Sequence, residues 1–310
     1  VKWATGNFIH YKTCREEYWG IAPAQWWISS YGENPRNEHK AGAEAIKYNG
    51  LGSQNWFVGS HIGRFSQTTN DCDLFQWGVI RDALKFNGVY YLQGTQVDLQ
   101  GKYYKERGGL VHVNEVSGRR CATHGDIVRY YTEAGQKHYH YQYPSKANFD
   151  ALCKANTIIP GYCYTDKGNK IYGAFFSDMK LAGKGSKFPT GRKLWKYQDV
   201  SGLVLANKGL FLPIAGRRPI NSAWVEFRHV AFDSGFYGQY YSSYCTTYSI
   251  PNALFYGAAF KVNVAVASKD QGASIRPVYV GADNNDEAKP IDAANFAPFR
   301  NIVSPMGRKY

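Results

Sequence analysis

The sequence predicts an α+β domain that is rich in strands and loops and contains about two helices. Aromatic residues make up 16% of the 310 positions and are dominated by 25 Tyr, which favour strands. The 32 Gly favour tight turns, and one segment, 144–156, has a clear helix start. With 44% hydrophobic residues, the chain can form a sizeable core, which argues against disorder.

Strands and surface excursions are predicted along the first third of the chain. Residues 1–9 fit a strand with a Gly-containing break, and 32–55 form a polar excursion with a short helix at 40–47. The segment 73–86 is either a helix or a buried strand, because its apolar period does not separate the two. Gly-punctuated strands at 88–116 predict hairpins.

The clearest helix is predicted inside 144–156. Ser145 is a suitable N-cap residue, and an apolar face follows at Phe149, Leu152 and Cys153, which are spaced as i, i+3 and i+4.

The remaining elements follow towards the C-terminus. A second helix is predicted over 201–209, ending at Gly209, and an apolar strand follows at 210–218. Three strand-like runs come next, at 237–249, 253–267 and 272–280. The last residues, 281–310, are polar with scattered Pro, and we expect an extended tail.

A net charge of +13 has two explanations. Lys and Arg clusters bind nucleic acid by releasing counterions from phosphates, but the basic residues here are scattered along the chain. A basic surface also favours solubility and contact with acidic glycans or cell surfaces. We therefore expect that nucleic acid is not a partner. A nucleic-acid-binding protein stays as an alternative function because of the net charge.

Six cysteines permit three disulfides in fifteen pairings: Cys14, Cys72, Cys121, Cys153, Cys163 and Cys245. They show no CxxC or Cys/His metal spacing, and a core of this size does not need them as cross-links. We therefore expect reduced or partly paired thiols.

Catalytic and metal-binding motifs are missing from the sequence. GxSxG, HExxH and a complete P-loop do not occur. His138 and His140 would point the same way on a strand, but a metal needs a third ligand, so we expect a solvent-facing edge. We predict a protein without enzymatic activity, metal or other cofactor.

The segment YYSSYCTTYS, residues 240–249, has an unusual composition. Tyr supplies rigid, half-polar contact area and Ser supplies adaptable hydrogen bonding, a pair typical of binding surfaces. The alternative is a strand whose alternate rings lie in the core, with Tyr240 and Tyr244 on one face and Tyr241 on the other.

Several motifs occur in a recognisable order: VKWATGNF at the start, YPSKANFDAL, LFLPIAGRR, GQYYSSY, and ASIRPV at 273–278. This order resembles the Fibrobacter succinogenes major paralogous domain, which is common in surface proteins of Bacteroidetes. Tyr241 stands where the family usually has Trp, and residues 32–140 match poorly and resemble an elaborate insertion.

The resemblance implies a C-type lectin-like fold, shared with formylglycine-generating enzymes, over residues 1–280 with long insertions. In that fold the terminal strands pair, which here means Val1–Thr5 with Ser274–Val280. Tyr241 and Ser242 would belong to the framework. The calcium-binding tripeptides of C-type lectins do not occur, so we predict no calcium dependence, and Cys245 lacks the second reactive thiol of the formylglycine enzymes.

The resemblance also implies surface display. Related domains lie in pilus-tip or lipoprotein adhesins, and some are variable proteins of diversity-generating retroelements, with mutable codons just before the closing RPV-like motif. Residues 237–272 occupy that place. No apolar stretch is long enough to span a membrane, and the chain opens mid-strand at Val1, so we expect a secreted or cell-surface protein (at the outer membrane or a pilus tip) whose signal has been removed.

We therefore predict a non-catalytic adhesin that binds a glycan or a protein through a Tyr/Ser-rich surface near 237–256. The candidate ligand-binding residues are Tyr240, Tyr244, Thr246, Thr247, Tyr248, Asn252, Tyr256 and Trp224. The alternatives are a structural pilus subunit, which would polymerise or donate a terminal strand, and a nucleic-acid-binding protein.

Overall fold

The computed structural model describes residues 1–12, 17–22, 24–27, 74–80, 85–86, 89–90, 110, 125–135, 141–164, 170–182, 197–215, 237–246, 250–257, 261–269 and 271–280. Over these residues the chain is a strand-rich α+β fold, as the sequence predicts. The predicted helix at 40–47, the pair His138 and His140, and the tail 281–310 lie outside the described residues.

Three helices and sixteen strands occur in the described ranges. The helices are α1 (Ile127–Gly135), α2 (Lys146–Cys153) and α3 (Ser201–Leu205). The first strands are β1 (Lys2–Trp3), β2 (Phe8–Lys12), β3 (Glu17–Ile21), β4 (Phe75–Gln76), β5 (Lys85–Phe86), β6 (Val89–Tyr90), β7 (Tyr141–Gln142) and β8 (Thr157–Tyr164). The others are β9 (Lys170–Ser177), β10 (Gln198–Asp199), β11 (Leu210–Pro213), β12 (Tyr237–Cys245), β13 (Pro251–Gly257), β14 (Asn263–Val266), β15 (Gly272–Ala273) and β16 (Val278–Tyr279).

Helix α2 begins where its capping residue predicts. Ser145 Oγ accepts a hydrogen bond from the backbone N–H of Asn148 at 3.1 Å, and Asn148 Oδ1 accepts one from the Ser145 N–H at 2.8 Å. This reciprocal capping box satisfies two backbone donors that the first turn leaves open. Phe149 is buried, so the predicted helix and its N-cap are confirmed.

The other two helices differ from expectation. Helix α3 ends at Leu205 rather than at Gly209, because Asn207 takes a left-handed backbone conformation with φ 54° that stops the helix. Helix α1 was not predicted, and it is one of the three helices in the described part of the chain. The residue before it, Asp126, accepts hydrogen bonds at Oδ1 from the N–H groups of Val128 and Arg129 at 2.9 and 3.0 Å.

The two ends of the described chain pair with each other. Lys2 lies opposite Tyr279 and Trp3 lies opposite Val278 in the antiparallel pair β1–β16, and β7 adds the third strand of this sheet. The contact continues through the N–H of Phe8, which donates to Ile275 O at 2.9 Å. The expected pairing of the terminal strands is confirmed.

A four-stranded sheet forms the second unit of the fold, in the order β10, β8, β9, β11. Strands β8 and β9 pair antiparallel over eight residues each, and β11 extends the sheet along β9. The apolar strand predicted at 210–218 thus begins as β11 and places its carbonyl groups beside the N-terminal segment.

The Tyr-rich strand β12 pairs with β13, and β13 pairs with β14. This sheet separates two core clusters. Tyr240 and Tyr256 belong to one cluster, and Tyr241 and Phe255 belong to the other. At Tyr240 and Tyr241 the strand is therefore buried on both faces, which explains why large rings occur at these consecutive positions.

The ambiguous segment 73–86 contains two short strands. Strand β4 pairs with β15, and a turn follows in which Gly78 has a positive φ of 73°. Leu74 and Trp77 are fully buried, so part of the region that matches the resembling family poorly contributes to the core. None of the helices in the described part of the chain is long and apolar enough to cross a membrane.

Candidate functional site

Two of the predicted ligand-binding tyrosines are structural. Tyr240 is fully buried; its hydroxyl donates to Pro213 O at 2.6 Å and accepts from Asn7 Nδ2 at 3.1 Å. Tyr256 is also buried, and its hydroxyl donates to Leu212 O at 2.8 Å. Both rings pack in the core between β11 and the sheet of β12, so assigning Tyr240 and Tyr256 to a ligand-binding surface was wrong.

Asn252 is likewise not available to a ligand. Asn252 is 5% exposed and lies in β13, where every position is buried. Its backbone carbonyl accepts a hydrogen bond from Ser242 Oγ at 3.0 Å, which ties β13 to β12. The prediction that Asn252 contacts a ligand is corrected for the same reason as the two tyrosines.

Gly238 in β12 makes room for the ring of Tyr256 in β13. Gly238 lies opposite Tyr256 in the strand register, and a Cβ atom at position 238 would overlap the Tyr256 ring. The missing side chain lets that ring lie across β12 and reach the carbonyl groups of β11. The rings of Tyr240 and Tyr256 then stack with centroids 6.3 Å apart.

Tyr241 and Ser242, which the resemblance places in the framework, are fully buried. The Tyr241 hydroxyl lies 2.6 Å from Ser268 O and 2.9 Å from Gln271 O. The carbonyl of Ser242 accepts from Trp77 Nε1 at 2.9 Å. These bonds fasten β12 to the segments on both sides of it.

The end of β12 reaches the surface. Tyr244 and Thr246 are half-buried, and the register with β13 shifts between Tyr241 and Cys245. The N–H of Thr246 donates to Ile250 O at 2.9 Å and closes the turn. Thr247, Tyr248 and Trp224 lie outside the described residues.

A network centred on Arg276 joins distant parts of the sequence. This arginine is fully buried, and its Nε donates to Asn7 Oδ1 at 2.9 Å. Its Nη2 donates to Gln25 O at 2.9 Å and to Phe211 O at 3.1 Å. All three acceptors are neutral oxygens, so the guanidinium serves as a multiple hydrogen-bond donor.

Gln25 strengthens the same network with its side chain. Its Oε1 accepts from the N–H of Phe211 at 2.6 Å, and its Nε2 donates to Gly209 O at 3.3 Å. The amide thus occupies the free edge of β11 in the manner of a neighbouring strand. A polar residue inside the aromatic run at 24–27 was the only sequence signal for this role.

Burial shifts the titration of the central groups. It lowers the pKa of Arg276 to about 10 and raises the pKa of Tyr240 to about 12. Near neutral pH the guanidinium therefore stays charged and the phenol stays protonated. The hydroxyl of Tyr240 keeps its hydrogen for Pro213 O, and the network holds one protonation state.

Two of the described cysteines, Cys153 and Cys163, are not activated as nucleophiles. Cys153 and Cys163 are free thiols, and burial raises their pKa values to about 11 and about 12. Both stay protonated near neutral pH and are weak nucleophiles. Cys245 is buried in β12, and the other three cysteines lie outside the described residues.

An open pocket of about 790 Å³ lies between the N-terminal segment, α2, the end of β9 and α3. Trp3 and Trp26 line it with partly exposed rings, and Leu205 and Met179 are exposed beside them. Sequence reasoning did not find this pocket, because its walls come from four separated segments. In the described ranges, no three His, Cys, Asp or Glu side chains are grouped closely enough to hold a metal ion.

The chain matches no protein-family model, no curated protein and no solved structure.

Proposed function

We propose that this protein is a non-catalytic adhesin that recognises a glycan or a protein from a C-type lectin-like framework. It would act at the cell surface or after secretion, at an outer membrane or a pilus tip. The framework would hold a small contact surface rigidly, so that little conformational entropy is lost when a ligand binds.

One observation carries the proposal. Four segments that resemble the Fibrobacter domain meet at Arg276. VKWATGNF supplies Asn7, LFLPIAGRR supplies Phe211 O, GQYYSSY supplies Tyr240, and ASIRPV supplies the arginine itself. Motifs that lie up to 269 positions apart thus become one buried hydrogen-bond network, as expected if they are the framework of one fold.

The proposed contact surface is smaller than the sequence suggested. Its described residues are Tyr244 and Thr246, which are half-buried on either side of the buried Cys245, and Ile250, which is exposed. We retain Thr247 and Tyr248 in the proposal because they lie in sequence between these residues. A half-exposed Tyr beside hydroxyl groups suits the apolar face of a sugar ring or an apolar side chain of a protein.

The position of this surface also supports a segment that can be diversified. The buried residues of β12 and β13 carry hydrogen bonds that fix the fold, such as those of Tyr240, Ser242 and Tyr256. Substitutions at the partly exposed positions Tyr244 and Thr246, unlike those at the buried Cys245, would therefore change the contact surface while the framework is kept. Closely related chains that differ mainly within 237–272 would support a retroelement origin.

The experiment is a binding screen on glycan and protein arrays with the whole protein, followed by Tyr244→Ala. We expect binding to weaken by about 1 to 3 kcal/mol while the unfolding transition is unchanged. The matched control is Tyr164→Ala, because Tyr164 is an exposed ring at the end of β8.

Equal affinity of Tyr244→Ala and the unaltered protein for every array ligand would contradict the proposed surface. Binding whose affinity falls steeply with salt and that selects polynucleotides would indicate the nucleic-acid alternative.

A further inference from the structure

Strand β14 forms one edge of the three-stranded sheet that contains β12 and β13. The opposite edge, on β12, is occupied: the N–H of Tyr241 donates to Ser274 O at 3.0 Å, and Gln239 O accepts from the Ser274 N–H at 3.2 Å. In the described part of the chain no strand lies beyond β14. The two edges of this sheet therefore differ, and β14 is the open one.

The backbone groups that point away from the sheet belong to Val264 and Val266. The N–H of Ala267 donates to Pro251 O at 2.8 Å, so these two residues form a hydrogen-bonded pair of the antiparallel ladder. Such pairs alternate along two strands, so Ala265 also bonds to β13, whereas Val264 and Val266 direct their N–H and C=O groups outwards. Among the residues that the structure describes, these outward groups have no hydrogen-bond partner.

The composition of this edge favours pairing with another strand. Residues 262–266 read VNVAV and contain no Pro and no charged residue, which are the usual means of protecting a strand edge. Val266 is 60% exposed although it is apolar and β-branched. Charged residues flank the segment at Lys261 and Lys269. A row of β-branched residues with unpaired backbone groups is suited to binding an added strand.

We infer that β14 pairs antiparallel with β14 of a second copy of this chain about a twofold axis, which joins the two sheets into one. The axis passes through Val264, which lies opposite Val264 of the second copy, while Val266 lies opposite Val262. These pairs exchange N–H···O bonds, and their β-branched side chains lie side by side across the strands. An edge that pairs antiparallel with its own copy is self-complementary, as a twofold interface requires.

The lysines at the two ends of the segment favour this register. With Val264 on the axis, Lys261 lies opposite Ala267 of the second copy. With Ala265 on the axis, Lys261 would lie opposite Lys269, and like charges directly opposite each other are destabilising. The net charge of +13 makes two copies repel, so salt should strengthen the dimer by screening. An acidic peptide bound to the same edge would be weakened by salt.

The first measurement is sedimentation velocity of the whole protein from about 5 to 500 µM, because a contact made by one short strand edge is expected to be weak. We expect a monomer–dimer equilibrium whose dissociation constant decreases as NaCl is raised from about 50 to 500 mM. Val266→Pro removes an outward N–H without breaking a bond to β13. It should raise the dissociation constant by about tenfold or more, since the twofold axis doubles the loss.

Two further pairs of variants separate the edge from general surface effects. Val266→Thr keeps a β-branched side chain and the backbone N–H, so it should retain the dimer that Val266→Pro loses. Val266→Lys places a charge on the edge and should also prevent pairing. Leu205→Lys is its matched control, because Leu205 is an aliphatic residue of α3 that is 87% exposed, and it should leave the dimer unaltered. Circular dichroism checks that each variant is folded.

Amide hydrogen exchange identifies the paired residues. The N–H groups of Val264 and Val266 should exchange slowly at concentrations that favour the dimer and rapidly at concentrations that favour the monomer. The N–H of Ala265 bonds to β13 in both states and is the internal reference.

Three results would overturn the inference. The protein stays monomeric at every concentration, or it forms a dimer in which exchange at Val264 and Val266 does not depend on concentration, or it forms polymers that grow with concentration. Polymers contradict it because an edge that pairs with its own copy is used up in the dimer, so another segment would have to bind. No ligand enters these measurements, so their outcome is independent of the adhesin proposal.

Discussion

Arg276 Nε donates a 2.9 Å hydrogen bond to Asn7 Oδ1, although the two residues are 269 positions apart. Both groups are buried, and Asn7 passes the connection on by donating to the Tyr240 hydroxyl. A guanidinium, an amide and a phenol thus join the two ends of the described part of the chain to the Tyr-rich strand.

Arg276→Met should destabilise the protein by about 3 kcal/mol or more, because it leaves buried acceptors at Asn7, Gln25 and Phe211 without their donor. The free energy of unfolding of Arg276→Lys should lie between those of Arg276→Met and the unaltered protein, since an ammonium group donates hydrogen bonds but cannot reproduce the planar fork of donors. Urea unfolding followed by circular dichroism measures the change. Lys180→Met, at an exposed position, is the control and should have little effect. A stable Arg276→Met variant would show that the network does not hold the fold.

Tyr240→Phe and Tyr244→Phe should differ, although both remove one hydroxyl from the same strand. The first leaves Asn7 Nδ2 without its acceptor inside the core and should cost about 1 to 3 kcal/mol. The second removes a hydroxyl from a half-buried ring and should change the free energy of unfolding by less than about 0.5 kcal/mol. Thermal and urea unfolding of the two variants test this. Equal losses would mean that Tyr244 is as firmly embedded as Tyr240.

Asp126 should make stability depend on pH in an unusual direction. Burial raises its pKa from 3.8 to about 6, and this exceeds the effect of the N–H groups that donate to its carboxylate. Between about pH 4 and pH 6 the folded protein therefore binds more protons than the unfolded chain. The free energy of unfolding should fall as pH rises through this window, by roughly 3 kcal/mol at most, and then level off.

Asp126→Asn removes this titration. The stability of the unaltered protein relative to the variant should decrease from pH 4 to pH 7, and subtracting the two curves cancels the other carboxylates. The variant should be less stable overall, because an amide has one acceptor oxygen while the carboxylate accepts at both oxygens, from Val128, Arg129 and Tyr143. A difference that does not change with pH would mean that Asp126 titrates normally.

The sequence predicted those helices and strands whose signals lie within a few neighbouring residues. Helix α2 has its capping box within four residues, and the apolar run at 210–213 forms the expected strand. Helix α1 had a comparable signal, since Asp126 precedes an apolar run, and it was missed. The pairing of the chain ends came from motif order rather than from local pattern.

The candidate site depended on information that composition does not contain. Tyr is equally suited to a binding surface and to a core that needs hydroxyl donors for strand carbonyls. Tyr240 and Tyr256 take the second role because β11 presents carbonyl groups beside them and Gly238 makes room. The pocket at Trp3 and Leu205 was equally hidden, because only tertiary packing brings its walls together.

Amide hydrogen exchange followed by NMR tests the clasp of the chain ends most directly. The N–H groups of Ala4, Phe8 and Tyr241 donate to Pro277, Ile275 and Ser274, each within 3.0 Å. If the ends close the framework, these amides should exchange only through global unfolding, as slowly as those in the β8–β9 pair. Exchange of Ala4 and Phe8 within minutes, while β8 and β9 stay protected, would show that the ends are not clasped.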